Sequence, residues 1–243
     1  TKILTLKPDQ KSKSSKKNQV EKMFDSISFE YDLLNGIMTF NSHKRWKQNI
    51  LNIAKILQPN NALDIATGTA DIAMNLGSLP NCRVVGVDIS EKMLSVGRQK
   101  IIKNNLEESV LLETGDAENL KYKDNYFDLV TIGFGVRNFQ DLKKGLKESL
   151  RVLKENGTLI ILETSVPENK VIRFFYSLFT RTYIPLMAKI FSKDKSAYSY
   201  LLDSAELFPC GIEFKNILKS VGFSKVQIKP KFFGSSTIYI ATK

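Results

Sequence analysis

The stretch "ALDIATGTADIA" (62–73) runs from apolar residues through Asp64 into a turn at Gly68 and Thr69, and leaves through a second acid, Asp71. A glycine in a tight loop between a strand and a helix lets a small ligand lie against backbone. The dinucleotide fingerprint needs glycines at G-x-G-x-x-G, so that a pyrophosphate reaches the helix N-terminus. Here the run at 66–71 is A-T-G-T-A-D, which fails that pattern. Acids flanking the turn disfavour a pyrophosphate and suit a cationic ligand.

Outward from this loop, strands and helices alternate. "NALDIAT" (61–67) reads as a first strand and 70–79 as a helix. "RVVGVDI" (83–89) is a second strand, followed by a helix over 91–104 capped by Ser90. "VLLETGD" (110–116) and "FDLVTIGFG" (127–135) are the third and fourth strands, and 140–153 a helix before "GTLIILET" (157–164). Short, nearly continuous apolar runs fit strands covered on both faces by helices, hence an α/β doubly wound, mostly parallel sheet. A helix over 212–220 and two strands, 225–233 and 236–242, close the chain. With only Gly234 and Ser235 between them, those strands should pair antiparallel. Upstream, Val20, Met23, Phe24, Ile27, Tyr31 and Leu34 recur at helical spacing, and Ser42 is a candidate cap for a helix ending before Pro59.

Ligands of doubly wound sheets bind at the carboxyl ends of the strands. Three acids fall there: Asp64, Asp88 at the end of the second strand, and Asp116 in "GDAE" (115–118). An acid ending the second strand accepts hydrogen bonds from ribose hydroxyls, which favours an adenosine-type ligand. Combined with acids around the turn, the ligand expected is S-adenosyl-L-methionine, whose sulfonium is a cation. The C-terminal antiparallel hairpin also suits a methyltransferase sheet better than a dehydrogenase. Taken singly, each acid could be a helix cap or turn residue.

Composition sets the outer bounds. The 243 residues are 42% hydrophobic and 25% charged, enough for one domain with a sizeable core. Two cysteines, Cys82 and Cys210, and the single histidine His43 lack ligand-like spacing, so no metal site is expected. No signal peptide or membrane span is read, because the most apolar window, 171–191, is cut by Arg173, Arg181, Pro185 and Lys189. The protein is therefore expected to be cytoplasmic, or peripheral at the inner face of the membrane. The net charge of +11 concentrates at the two ends: residues 1–22 carry seven lysines against Asp9 and Glu21. Residues 1–18 read as a disordered basic tail and 19–243 as a single domain, with an N-terminal helical cap over 19–58 and an apolar helical insertion over 170–208. Such charge suits an anionic membrane surface or simply a solvated tail.

Four segments carry a resemblance. "YDLLNGIMTFNSHKRWK" (31–47), "RVLKENGTLIILETS" (151–165), "GFGVRNFQD" (133–141) and "GDAENLKYKDNYFD" (115–128) resemble the UbiE/MenG-type quinone C-methyltransferase family of menaquinone and ubiquinone biosynthesis. The likeness runs from about Val20 to the C-terminus. It implies a class I, Rossmann-like methyltransferase that moves a methyl group from S-adenosyl-L-methionine to a ring carbon of a prenylated quinol, most simply demethylmenaquinol. The benzoquinol of ubiquinone biosynthesis is the alternative within the family. Methylation of another lipid or phenol, or a non-catalytic basic protein binding membrane or nucleic acid on an inert nucleotide fold, are the alternatives outside it.

By position, Thr69, Asp88, Asp116 and Ala117 match the family's cofactor contacts, beside the loop residues Asp64 and Gly68. Gly133 stands where some members carry serine, and Ala70 replaces a glycine common in the loop. Arg137 and Asn138, directly after the fourth strand, are the catalytic candidates. An arginine stays protonated and can stabilise a developing quinol oxyanion, with Asn138 orienting the same oxygen; the alternative for Arg137 is a structural ion pair. His43 is a candidate base or an anchor of the N-terminal segment. Tyr31 and Asn35 are expected to line the quinol pocket. Phe175 shares a helical face with Ile172, Phe179 and Tyr183 that can admit a prenyl chain and meet an anionic membrane. No nucleic-acid partner is expected, and a homodimer is plausible.

Overall fold

A computed structural model describes residues 6–191 and 194–243. The chain opens with α1 (Lys16–Ile27), α2 (Tyr31–Met38) and α3 (Ser42–Leu57), then alternates through β1 (Asn61–Ile65), α4 (Asp71–Gly77), β2 (Arg83–Asp88), α5 (Glu91–Lys103), β3 (Val110–Thr114) and β4 (Phe127–Gly133). It continues through α6 (Leu142–Val152), β5 (Leu153–Thr164), α7 (Lys170–Phe191), α8 (Lys195–Leu207), α9 (Ile212–Val221), β6 (Lys225–Lys231) and β7 (Ser236–Thr242). The seven strands form one sheet in the order β3-β2-β1-β4-β5-β7-β6. Strands β1 to β5 are parallel, and β7 runs antiparallel to both β5 and β6.

The period-2 alternation of β1 explains the two-faced core. Leu63 and Ile65 pack on one face with Leu146, Phe214 and Tyr239, while Ala62 faces the opposite cluster of Ile50, Leu76 and Leu94. All of these side chains are essentially removed from solvent. At roughly 1.5–3 kcal/mol for each large aliphatic side chain buried, these two layers dominate the stability. A third, smaller cluster joins Val20, Met23, Ile27 and Leu34 to Tyr198 and Tyr200 of α8, which holds the N-terminal helices over the sheet's carboxyl edge.

Several local expectations shift. Order begins before residue 18, since α1 starts at Lys16, a residue only 3% exposed. The expected tail is thus shorter than 1–18, and its residues 1–5 lie outside the described ones. The helical run from Val20 breaks in two where the Ser28 hydroxyl donates back to the Asp25 carbonyl, 3.2 Å away. Asn41, not Ser42, precedes α3: Phe40 and Asn41 both adopt left-handed backbone (φ 48° and 58°), and Ser42 is already helical. The C-terminal hairpin has a longer turn than two residues, because Lys231 pairs with Ser236 and Phe232 to Gly234 form a 3-10 turn.

Candidate active site

The loop after β1 is built by Asp64. Its carboxylate, 1% exposed, accepts from the Thr67 and Thr131 hydroxyls, each at 2.6 Å. Burial pushes its pKa up to about 6. Asp64 therefore pins the loop to β4 and has no oxygen without a protein donor. The chain then turns through Gly68 (φ 56°) and Ala70 (φ 67°), so an alanine occupies a left-handed position that glycine fills without strain.

Asp88 closes the loop from the other side. Its Oδ2 accepts from the Gly68 N–H at 2.8 Å and its Oδ1 from the Ser90 N–H at 2.9 Å. Each oxygen keeps a second lone pair, and Asp88 lines the cleft with Gly68, Met93, Asp116 and Ala117. The tips of β1, β2 and β3 thus converge, as the spacing of the acids requires. Asp116 accepts from the Glu118 N–H at 2.9 Å and pairs with Lys17 Nζ of α1 at 3.0 Å. Gly133 also lines this cleft, and a Cβ there would meet Ile72 Cδ1, the end of a flexible side chain that a serine would have to displace.

The acids around the turn are not free charges. Burial alone would raise the pKa of Asp71, but Lys47 and Lys100 pair with it and hold it down at about 2. Lys100 also reaches Asp32 at 2.8 Å, and Asp32 accepts from the Thr69 hydroxyl at 2.7 Å. The expectation that both flanking acids attract a sulfonium is therefore corrected: one is neutralised by lysines, the other capped by hydroxyls. Sequence reasoning missed Asp32, Lys47 and Lys100, which come from three different helices.

Beside the cleft lies a cavity of about 490 Å³, walled by Tyr31, Asn35, His43, Arg137, Phe175 and Tyr176 among others. The two spaces share Ala66, Gly68, Gly133, Phe134 and Tyr31, so a ligand in one meets a ligand in the other. Tyr31 and Asn35 line the cavity as expected, whereas Phe175, 62% exposed, stands at its rim. Arg137 lies on the 3-10 turn after β4 and pairs with Glu163 at the end of β5, the partner being fully buried. The ion-pair reading of Arg137 thus holds, and Arg137 Nε and Glu163 Oε2 have no hydrogen-bond partner among the described residues. Asn138 faces the cleft rather than the larger cavity, its Nδ2 3.4 Å from the Phe134 carbonyl. His43 is buried beside Thr39; desolvation and Lys47 lower its pKa to about 4, leaving it neutral at ordinary pH.

The model of the ubiE/COQ5 methyltransferase family matches residues 10–243. The chain belongs to this family. It is 42% identical over 229 residues to a demethylmenaquinone methyltransferase of Bacteroides fragilis, covering 94% of each chain. It is 40% identical over 231 residues to one of Bacillus cereus, covering 94% of this chain and 97% of that one. A solved S-adenosylmethionine-dependent methyltransferase of Thermotoga maritima, described as a possible histamine N-methyltransferase, shares the fold with a TM-score of 0.62 at 21% identity, over 91% of this chain and 99% of that one. The protein is an S-adenosylmethionine-dependent methyltransferase, and the cleft fits that donor: a half-buried carboxylate with spare acceptor capacity at the tip of β2, over a glycine turn. Among the described residues no helix is long and apolar enough to cross a membrane.

Proposed function

We propose that this methyltransferase methylates a ring carbon of a prenylated quinol, converting demethylmenaquinol to menaquinol. The observation that carries the reading is the 490 Å³ aromatic-walled cavity adjoining the donor cleft. The names of the Bacteroides and Bacillus relatives support the naphthoquinol over the benzoquinol. When bound, S-adenosylmethionine supplies an electrophilic methyl group on a positively charged sulfur. Asp88 would hold its ribose, Gly68 and Thr69 the loop side, and Asp116 and Ala117 the adenine end.

A quinol hydroxyl ionises near pH ~10, so only about one molecule in ~10³ carries the reactive anion at pH ~7. Arg137 offsets part of that deficit. Glu163 holds one edge of its guanidinium, and the remaining N–H groups are donors for a developing quinol oxyanion. Tyr31 and Asn35 line the ring's side of the cavity, and the prenyl chain leaves past Phe175. Exposed Phe174, Phe175 and Leu178 share α7 with Lys170, Arg173 and Arg181, a combination suited to an anionic membrane in which such a substrate dissolves.

Incubation with isotope-labelled donor and each reduced quinone precursor, followed by mass analysis, tests the reading. Label in the naphthoquinol ring is expected. Label only in the benzoquinol, or in neither, would overturn it.

A further inference from the structure

The corner between α2 and α3 holds a hydrogen-bond chain whose direction is fixed by its oxygens. Thr39 Oγ1 lies 2.6 Å from the Asn35 carbonyl oxygen and 2.7 Å from His43 Nδ1. Two oxygens that close require a proton between them, and the carbonyl has none to give, so the threonine hydroxyl donates to Asn35. That proton is then spent. At Nδ1 the same oxygen can only accept, and Nδ1 carries the imidazole hydrogen. Nε2 is left with its lone pair, without a hydrogen-bond partner among the described residues, on a ring that borders the large cavity.

We infer that Thr39 is a positioning residue that fixes His43 in the Nδ1-protonated tautomer, so that the Nε2 lone pair accepts the substrate hydroxyl proton during methyl transfer. This rests on the quinol reading above. The backbone supports the arrangement at some cost. Phe40 takes a left-handed conformation (φ 48°) uncommon for a bulky residue, compensated by its ring stacking on Tyr183 with centroids 5.3 Å apart. The strained turn is what returns α3 so that His43 meets the hydroxyl of Thr39, the residue that caps the end of α2.

The chemistry balances on one proton. The hydroxyl O–H bond breaks toward Nε2, its electron pair forms a carbonyl, and a ring π pair forms the new carbon–carbon bond as the methyl–sulfur bond breaks onto sulfur. The imidazolium then returns its proton to the carbonyl oxygen while the hydrogen on the methylated carbon leaves to solvent, restoring the aromatic quinol. A weakly basic imidazole suits this timing. It stays neutral beside Lys44 and Lys47 of its own helix, Asp71 of α4 and Asp32 of α2. It cannot strip a resting phenol, yet it accepts readily once the ring yields electrons to the methyl.

His43 is the sole histidine, so a protein labelled with ¹⁵N-histidine gives one imidazole, and its nitrogen shifts report the tautomer directly. The wild type is expected to show protonated Nδ1 and bare Nε2. Thr39→Val should mix the tautomers and lower kcat by about tenfold with donor affinity unchanged, and Thr39→Ser should restore both. His43→Ala should lower kcat by ~10² or more. A wild-type protein with hydrogen on Nε2 would overturn the proposal. So would a Thr39→Val protein that loses activity with its tautomer intact, or changes tautomer with kcat intact. Failure of the wild type to methylate any quinol would instead strike the functional reading, and with it the destination of the proton, even where the shifts show the stated tautomer.

Discussion

Lys17 Nζ lies 3.0 Å from Asp116 Oδ2, so the first helix of the chain sets a cation on a carboxylate that lines the cleft. Asp116 raises the Lys17 pKa through this hydrogen bond and its charge. The lysine side chain is 43% exposed, so solvent screens the pair and its contribution to stability is at most ~1 kcal/mol. Its larger consequence is competition for an acceptor. Lys17→Ala should leave the melting temperature nearly unchanged and tighten binding of S-adenosylhomocysteine severalfold; calorimetry showing weaker binding would reverse the assignment.

Binding of the donor should also depend on pH through Asp88. Burial raises this carboxyl to about 6, against roughly 4 in the unfolded chain. The folded protein therefore keeps the proton longer, and Asp88 lowers stability as pH rises from about 4 through about 6. Ribose recognition runs the other way, since it needs the carboxylate. Affinity for S-adenosylhomocysteine should fall as pH drops below about 6, and Asp88→Asn should abolish that dependence while weakening binding at about pH 7.

Arg137 carries both a structural and a chemical role, and the two separate experimentally. Arg137→Ala strands Glu163, fully buried, and should destabilise by ~3–5 kcal/mol. Replacing both residues with methionine removes the stranded charge and should recover most of that loss in thermal unfolding. Turnover should stay low in the double variant, with donor affinity retained. Recovery of turnover would make the arginine structural alone.

At the cavity rim, Phe174 and Phe175 are 65% and 62% exposed, so Phe174→Asp with Phe175→Asp should cost little in folding. Cosedimentation with anionic phosphatidylglycerol vesicles should be lost, while methylation of a short-chain, soluble quinol persists. Undiminished vesicle binding would remove α7 from the membrane reading.

The sheet was legible in the sequence because its signals are local. The apolar runs of β1, β2 and β4 stand out by composition, and Ser90 reads as a cap because its hydroxyl has only to reach the Met93 N–H, three residues on. Asp88 was legible for the same reason, as the last residue of such a run. What escaped are pairings between distant positions. Lys17 and Asp116 are separated by 99 residues and Arg137 and Glu163 by 26, and no periodicity announces either. The charge of Asp71 was misjudged on those grounds: its two lysines arrive from α3 and α5, so a carboxylate that reads as bare is saturated. The Phe40 corner escaped because left-handed backbone at phenylalanine has no sequence signature.

The N-terminal helices reach the loops around the cleft through Lys17 at Asp116, Asp25 at Ser90 and Asp32 at Thr69. Occupancy of the cleft and docking of residues 16–38 are therefore thermodynamically linked: Lys17 opposes the ligand at Asp116, while the loop contacts of Asp25 and Asp32 favour it and outweigh that one competitor. A protease should nick this segment fastest in the empty protein, and amide exchange there should slow as soon as the nucleoside is seated.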